Sequence, residues 1–188
     1  MKICAMVLLL VAVAVPASAA TVHDEAVNGD LSTSEAAPTP LAFSVGGNTV
    51  IGTTGNVAGV DRDFITFTLA PGHVLVGLNL LAFAPDNVAF AAFNTGTTSF
   101  VPGPLTAASF LAGIHPDASM IGTNLMTEFV CCSVTGNSLP LPELGPGDYC
   151  FVIQQTSPIT TSYSLDFVVS GPVPTTPSTW GGIKALYP

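Results

Sequence analysis

Apolar side chains recur at every second position in short runs along most of the chain, and glycine, proline and asparagine separate the runs. FITFTL (64–69) shows this most cleanly. Ile65, Phe67 and Leu69 share one face, and Phe64, Thr66 and Thr68 share the other. Period two with β-branched and aromatic residues predicts a half-buried strand. The turn Ala70-Pro71-Gly72-His73 leads into VLVGLNLLAF (74–83), where Leu75, Gly77, Asn79 and Leu81 are expected to oppose Val74, Val76, Leu78 and Leu80. GDYCFVIQQT places Tyr149, Phe151 and Ile153 together, and SYSLDFVVS places Tyr163, Leu165, Phe167 and Val169 on one side with Ser164, Asp166 and Val168 on the other. The Asp166 side of that strand is expected to face solvent.

Shorter runs complete the pattern. LAFSV (41–45) and TVIGTT (49–54) flank Gly46-Gly47-Asn48, which reads as a hairpin turn. VAFAAFNT (88–95) and AASFLAG (107–113) read as strands, NLMTEFV (124–130) as one or two helical turns, and LPLPELGPG (139–147) as a loop. About eight strands with almost no helical periodicity predict an all-β fold, an antiparallel β-sandwich of jelly-roll-like form.

The ends differ from this body. Lys2, the apolar run from Ile3 to Val15 and the small residues Ala17-Ser18-Ala19 match a secretory signal peptide with an A-x-A cleavage site. The run is shorter than the roughly 20 residues that span a bilayer. The expected organisation is a signal peptide over 1–19, an acidic arm over 20–40, the sandwich over 41–171 and a Pro/Gly-rich tail over 172–188. The processed protein is expected outside the cytoplasm, extracellular or periplasmic, with no membrane span.

All twelve acids follow Ala20, against Arg62 and Lys184 alone, so removal of the leader leaves a net charge of −10. Such a surface repels nucleic-acid phosphates, which need clustered Lys and Arg, and repels anionic membranes. Divalent cations suit it, because carboxylates are their ligands. The acids gather at Asp24, Glu25 and Asp30, and again at Asp61 and Asp63. If the arm folds beside the Asp61–Asp63 lip, these five converge on a calcium site; the alternative is that they are solvated loop acids.

Catalytic signatures are sparse. The chain has no G-x-S-x-G, H-E-x-x-H or glycine-rich phosphate loop. His115-Pro116-Asp117 with Ser119 holds triad residue types, but closeness in sequence is not triad geometry. The expectation is no enzymatic role, with a small secreted glycan or peptide hydrolase as the alternative. Phe64, Phe90, Phe93 and Phe100 are candidates to stack on an extracellular polymer or protein partner, and the core is the more ordinary place for each. Trp180 in the tail is the aromatic most expected to be exposed. Export favours disulfides. Cys131 or Cys132 bridged to Cys150 would close a loop worth about 3 kcal/mol, and Cys132 with Cys150 is the pair taken here; a bond between the adjacent Cys131 and Cys132 is the strained alternative.

DRDFITFTLAPGHVL (61–75) resembles the opening of the bacterial pre-peptidase C-terminal domain: Asp-x-Asp, an aromatic residue, an alternating strand, a small-Pro-Gly turn and a strand. LGPGDYCFVI (144–153) and YSLDFVV (163–169) resemble its later strands, and DEAVNGDLS (24–32) is similar to the lead-in of secreted bacterial relatives, many of which end in a Pro-Glu-Pro sorting tag. Pro177-Ser178-Thr179-Trp180 resembles the start of that tag, without its glutamate, membrane helix or arginine cluster. The resemblance implies a jelly-roll-like sandwich acting as a non-catalytic module, in a family where some members bind calcium or matrix polymers. The expected role is binding or surface association, with a structural matrix or envelope component as a further alternative.

Overall fold

The computed structural model describes residues 19–85, 88–98 and 110–172. The leader through Ser18, Phe100 and the tail from Val173, with Trp180, lie outside them. Among the described residues nine strands form: β1 (Ala20–Asp24), β2 (Thr39–Pro40), β3 (Gly46–Gly55), β4 (Arg62–Leu69), β5 (Val74–Ala84), β6 (Phe90–Thr95), β7 (Ala112–Ile114), β8 (Gly147–Gln154) and β9 (Thr160–Ser170). They make two sheets, ordered β1-β3-β9-β5 and β2-β4-β8-β6-β7. Two short helices, α1 (Glu25–Asn28) and α2 (Met126–Cys131), interrupt them.

The alternation in 64–69, 147–154 and 160–170 drives the sheets together. Ile65, Phe67 and Leu69 of β4, Tyr149, Phe151 and Ile153 of β8, and Tyr163, Leu165, Phe167 and Val169 of β9 all enter one core. Phe167 from the first sheet meets Phe151 of the second edge-on at 5.3 Å between ring centroids, and Phe67 at 6.0 Å. The fold is an all-β sandwich. Its interior pairings are antiparallel, but each sheet carries one parallel edge pair: β1 on β3 and β2 on β4. Both parallel edge strands come from the segment 20–40, so the expected arm supplies an edge to each layer.

Three local expectations are corrected. Gly46-Gly47-Asn48 is the start of β3 and not a hairpin turn. Asn48 is fully buried, accepts from the Ser44 backbone N–H and donates to the carbonyls of Ser44, Gly46 and Phe167. Its amide thus satisfies backbone groups as the chain crosses between sheets, while Phe43 packs on Phe67 and Phe167. In β5 the strict two-residue period fails at two register shifts, between Leu75 and Gly77 and between Leu80 and Ala82. A bulge inserts a residue and flips the faces beyond it. Leu75, Leu78, Leu80 and Phe83 therefore all reach the core, and Val76 and Leu81 are exposed. Asp166, expected in solvent, is buried.

The cysteine pairing is also corrected. Cys131 is bonded to Cys132, and Cys150 takes no part in a disulfide. Helix α2 turns Met126 and Phe129 into the core, which leaves Cys131 and Cys132 at its exposed end. Cys150 stands on β8 between Tyr149 and Phe151, so the pleat sends it to the opposite face of the sheet from the core. There its buried thiol donates to the Gly96 carbonyl at 3.1 Å.

Candidate metal centre

The stretch Asp61-Arg62-Asp63 leads into β4, and the strand period decides where its side chains go. Asp63 lies two residues before Ile65 and so takes the inward face, 1% exposed at the end of the sandwich. Tyr163, on the facing strand β9, donates to Asp63 Oδ2 at 2.8 Å. Asp63 Oδ1 is buried and has no hydrogen-bond partner. Asp61 Oδ1 is likewise buried and unpartnered, while the Asp61 backbone is held by Gly55 O (2.7 Å) and Thr54 Oγ1 (2.8 Å).

The N-terminal segment delivers the other acids. β1 runs directly into α1, whose N-cap Asp24 accepts from Ala26 N at 3.0 Å. That cap occupies the Asp24 carboxylate and leaves it outside the acidic group. Glu25, the next residue, reaches across to β3: Oε2 accepts from Thr53 N at 2.7 Å and Thr53 Oγ1 at 3.1 Å, and Oε1 accepts from Leu31 N at 3.2 Å. A glycine makes this approach feasible. A Cβ on Gly52 would stand 2.6 Å from the Tyr163 hydroxyl and 3.1 Å from Glu25 Cδ. Glu25, Asp30 and Asp63 then present carboxylate oxygens that all lie within 4.8 Å of one another. Of the five acids expected to converge, three meet in this group, Asp61 flanks it, and Asp24 does not join.

The electrostatics follow from that crowding. Burial, then the charge of Glu25, with smaller contributions from Asp61 and Asp30, pushes Asp63 up to about 9 against the opposing Tyr163 hydrogen bond. Burial, then Asp30 and Glu25, raises Asp61 to about 6. Burial and the neighbouring Asp63 hold the Tyr163 hydroxyl well above its ordinary range. Arg62 does not neutralise the group, because the strand period sends it to the opposite face, where its Nε is buried without a hydrogen-bond partner. Like charges brought together out of water need protons or a cation. The donor set is all oxygen, with two orphaned carboxylate oxygens, which suits calcium's six to eight oxygen ligands and tolerant geometry. Asp30 and Asp61 also line an open cleft of about 390 Å³ with Thr33, Thr53, Gly55 and Thr160, so one side of the group faces solvent.

The remaining candidates lie elsewhere. Asp117 Oδ1 accepts from Ser119 N at 2.8 Å and from Ser119 Oγ at 2.5 Å, capping a 3-10 turn, and His115 lies edge-on to Phe90 at 5.8 Å. Phe64 and Phe93 are buried, Phe64 in a second cluster with Ala92, Phe110 and Val152 on the outer side of its sheet. Phe90 packs against that cluster and is partly exposed. Glu128, Cys131 and Cys132 form a second close group, but the two sulfurs are committed to each other. Among the described residues no helix is long and apolar enough to cross a membrane. Set against known proteins, the chain matches no protein-family model and no curated protein.

Proposed function

We propose that this chain is an exported, non-catalytic β-sandwich module for binding or surface association, similar to the pre-peptidase C-terminal domain, and that calcium stabilises it. One observation carries the metal: the buried, unpartnered Oδ1 of Asp63 beside Glu25 and Asp30, with Arg62, the one Lys or Arg among the described residues, on the opposite face of the strand. Asp63 and Asp61 belong to the lip of the sandwich, and Glu25 and Asp30 to the N-terminal segment. A cation shared between them fastens that segment to the domain, and the Thr-lined cleft at Asp30 and Asp61 leaves the ion approachable by an extracellular polymer or protein.

Thermal melts of metal-stripped protein during a calcium titration test this. A ligand bound only by the folded state at about one hundred times its Kd adds about 2.7 kcal/mol, a rise of roughly 5–10 °C at this chain length. The double substitution Glu25→Gln, Asp30→Asn should remove the response. An unchanged melting temperature at millimolar calcium would refute the metal.

A further inference from the structure

Asp166 stands in the middle of β9, on the face turned away from the core, opposite Thr49 of β3 and Asn79 of β5. It is nevertheless only 8% exposed. Oδ2 accepts a long hydrogen bond from Asn79 Nδ2 at 3.5 Å, and Oδ1 is buried with no hydrogen-bond partner among the described residues. A carboxylate oxygen removed from water without a partner is destabilising. It lies apart from the acidic group, which is built on the opposite face of β9 through Tyr163.

The neighbour of that oxygen is the start of β1. A Cβ placed on Gly47 would stand 2.7 Å from Asp166 Oδ1, 2.7 Å from Ala19 Cβ and 3.0 Å from Ala19 Cα at once. Carboxylate and alanine therefore meet over the same bare patch of β3, which only glycine leaves open. The backbone nitrogen of Ala20 is two bonds on from Ala19 Cα, and the parallel pairing of Ala20 with Asn48 holds it at this edge. The peptide bond between Ala19 and Ala20 is also the one that Ala17-Ser18-Ala19 marks for leader removal. Hydrolysis there adds one water: Ala19 departs with the leader as a carboxylate, and the Ala20 nitrogen becomes a primary ammonium.

We propose that Asp166 is the built-in partner of this new N-terminus, so that cutting the leader supplies the cation that its buried oxygen lacks and locks β1 onto the sheet. The proposal rests on the exported reading above and is independent of calcium. In the uncut chain the Ala20 nitrogen is a neutral amide, whereas in the processed chain it carries a positive charge and three N–H donors. Because β1 leads straight into Glu25, the same ion pair steadies the segment that carries the first acid of the metal centre.

Four chains test it, melted in chelator: one beginning at Ala20 and one at Ala17, each with Asp166 or Asp166→Asn, released from a fusion by a protease that leaves no added residue. The Ala20 chain with Asp166 should melt several degrees above the other three, and Asp166→Asn should lower the melting temperature only when Ala20 is first. An equal effect of Asp166→Asn in both lengths overturns the pair. Acetylating the Ala20 amine, which leaves Asp166 untouched, should reproduce the loss. Amine acylation read by peptide mass gives a second measure, with Lys184 as the internal reference. The Ala20 amine should react several-fold more slowly than in Asp166→Asn, and equal rates refute the contact. Sequencing the product exported from a bacterial host separates the two readings. A first residue other than Ala20 overturns the maturation step, and failure to export overturns the reading beneath it, whereas the melts judge the ion pair itself.

Discussion

Tyr163 of β9 donates its hydroxyl to Asp63 of β4 at 2.8 Å, a buried bond that joins the two sheets at the end where the acids of the N-terminal segment converge. The tyrosine satisfies one carboxylate oxygen and leaves the other to the acidic group. That division ties the stability of the domain to pH and, on the proposed reading, to a bound cation.

The pH dependence has a definite sign. Asp63 is raised to about 9 and Asp61 to about 6, in both cases first by burial and then by neighbouring acids. Between the ordinary aspartate range and about 9 the folded state holds more protons than the unfolded chain, so this contribution to stability is lost as pH rises through that window. In chelator the melting temperature should fall from about pH 5 to about pH 9, with Asp61 contributing at the lower end and Asp63 throughout. Saturating calcium should flatten the decline, because the bound ion selects the ionised carboxylates. A chelated profile that rises across this interval would contradict the burial argument.

Substitutions at the pair should act in opposite directions. Asp63→Asn keeps the shape and needs no proton to be buried, so at pH 8 without calcium it should raise the melting temperature while abolishing the calcium response. Tyr163→Phe leaves both oxygens of a buried aspartate without their inter-sheet donor and should cost about 1–3 kcal/mol. Denaturant unfolding of both variants with and without calcium measures this. Loss of stability in chelated Asp63→Asn would show that the aspartate is not a burden in the metal-free fold.

Gly52 is required by close approach. A methyl group there would come within 2.6 Å of the Tyr163 hydroxyl and 3.1 Å of Glu25 Cδ. Gly52→Ala should displace both, costing about 1–3 kcal/mol as overpacking does and weakening calcium binding. Gly136→Ala, outside the acidic cleft, is the informative contrast. Nothing lies within 4 Å of its added carbon, but its φ of +82° strains any side chain, so it should destabilise without changing calcium affinity after correction for folding. Calorimetric calcium titrations of the two variants should therefore differ.

The layered fold was readable wherever the two-residue period ran unbroken. Ile65, Phe67, Phe151, Leu165 and Phe167 all lie in the core, as alternation requires. It failed where a residue was inserted or a side chain replaced the expected backbone geometry. The bulges in β5 reverse the faces beyond Leu75, and a sequence pattern does not record an insertion that has no turn residue to announce it. Gly46-Gly47-Asn48 has turn composition, yet the glycine at 47 serves close packing and the asparagine amide bonds to three carbonyls. The acidic residues could be identified as a group by composition, but their meeting depends on a parallel edge strand, β1, made from a stretch with little alternation. Asp24 shows the limit of adjacency: one residue from Glu25, it caps the helix that aims its neighbour. Asp166 is buried between Thr49 of β3 and Asn79 of β5, partners far away in sequence for which no local pattern exists.

The cysteines give a chemical test of the sheet assignment. Cys150 is buried on β8 with its thiol on the Gly96 carbonyl, and Cys131 and Cys132 are bonded at the exposed end of α2. Alkylation of folded, unreduced protein from which the leader has been removed should label no cysteine rapidly. After unfolding without reductant, Cys150 alone should be labelled, since opening the fold exposes it and leaves the disulfide intact. Mild reduction before unfolding should make Cys131 and Cys132 reactive while Cys150 stays protected. Cys131→Ser with Cys132→Ser should shift the melting temperature little, because the bond closes no long loop and so restrains little unfolded-chain entropy. A Cys150 peptide found linked to either partner by mass mapping would require α2 and the outer face of β8 to come together, and would overturn their present placement.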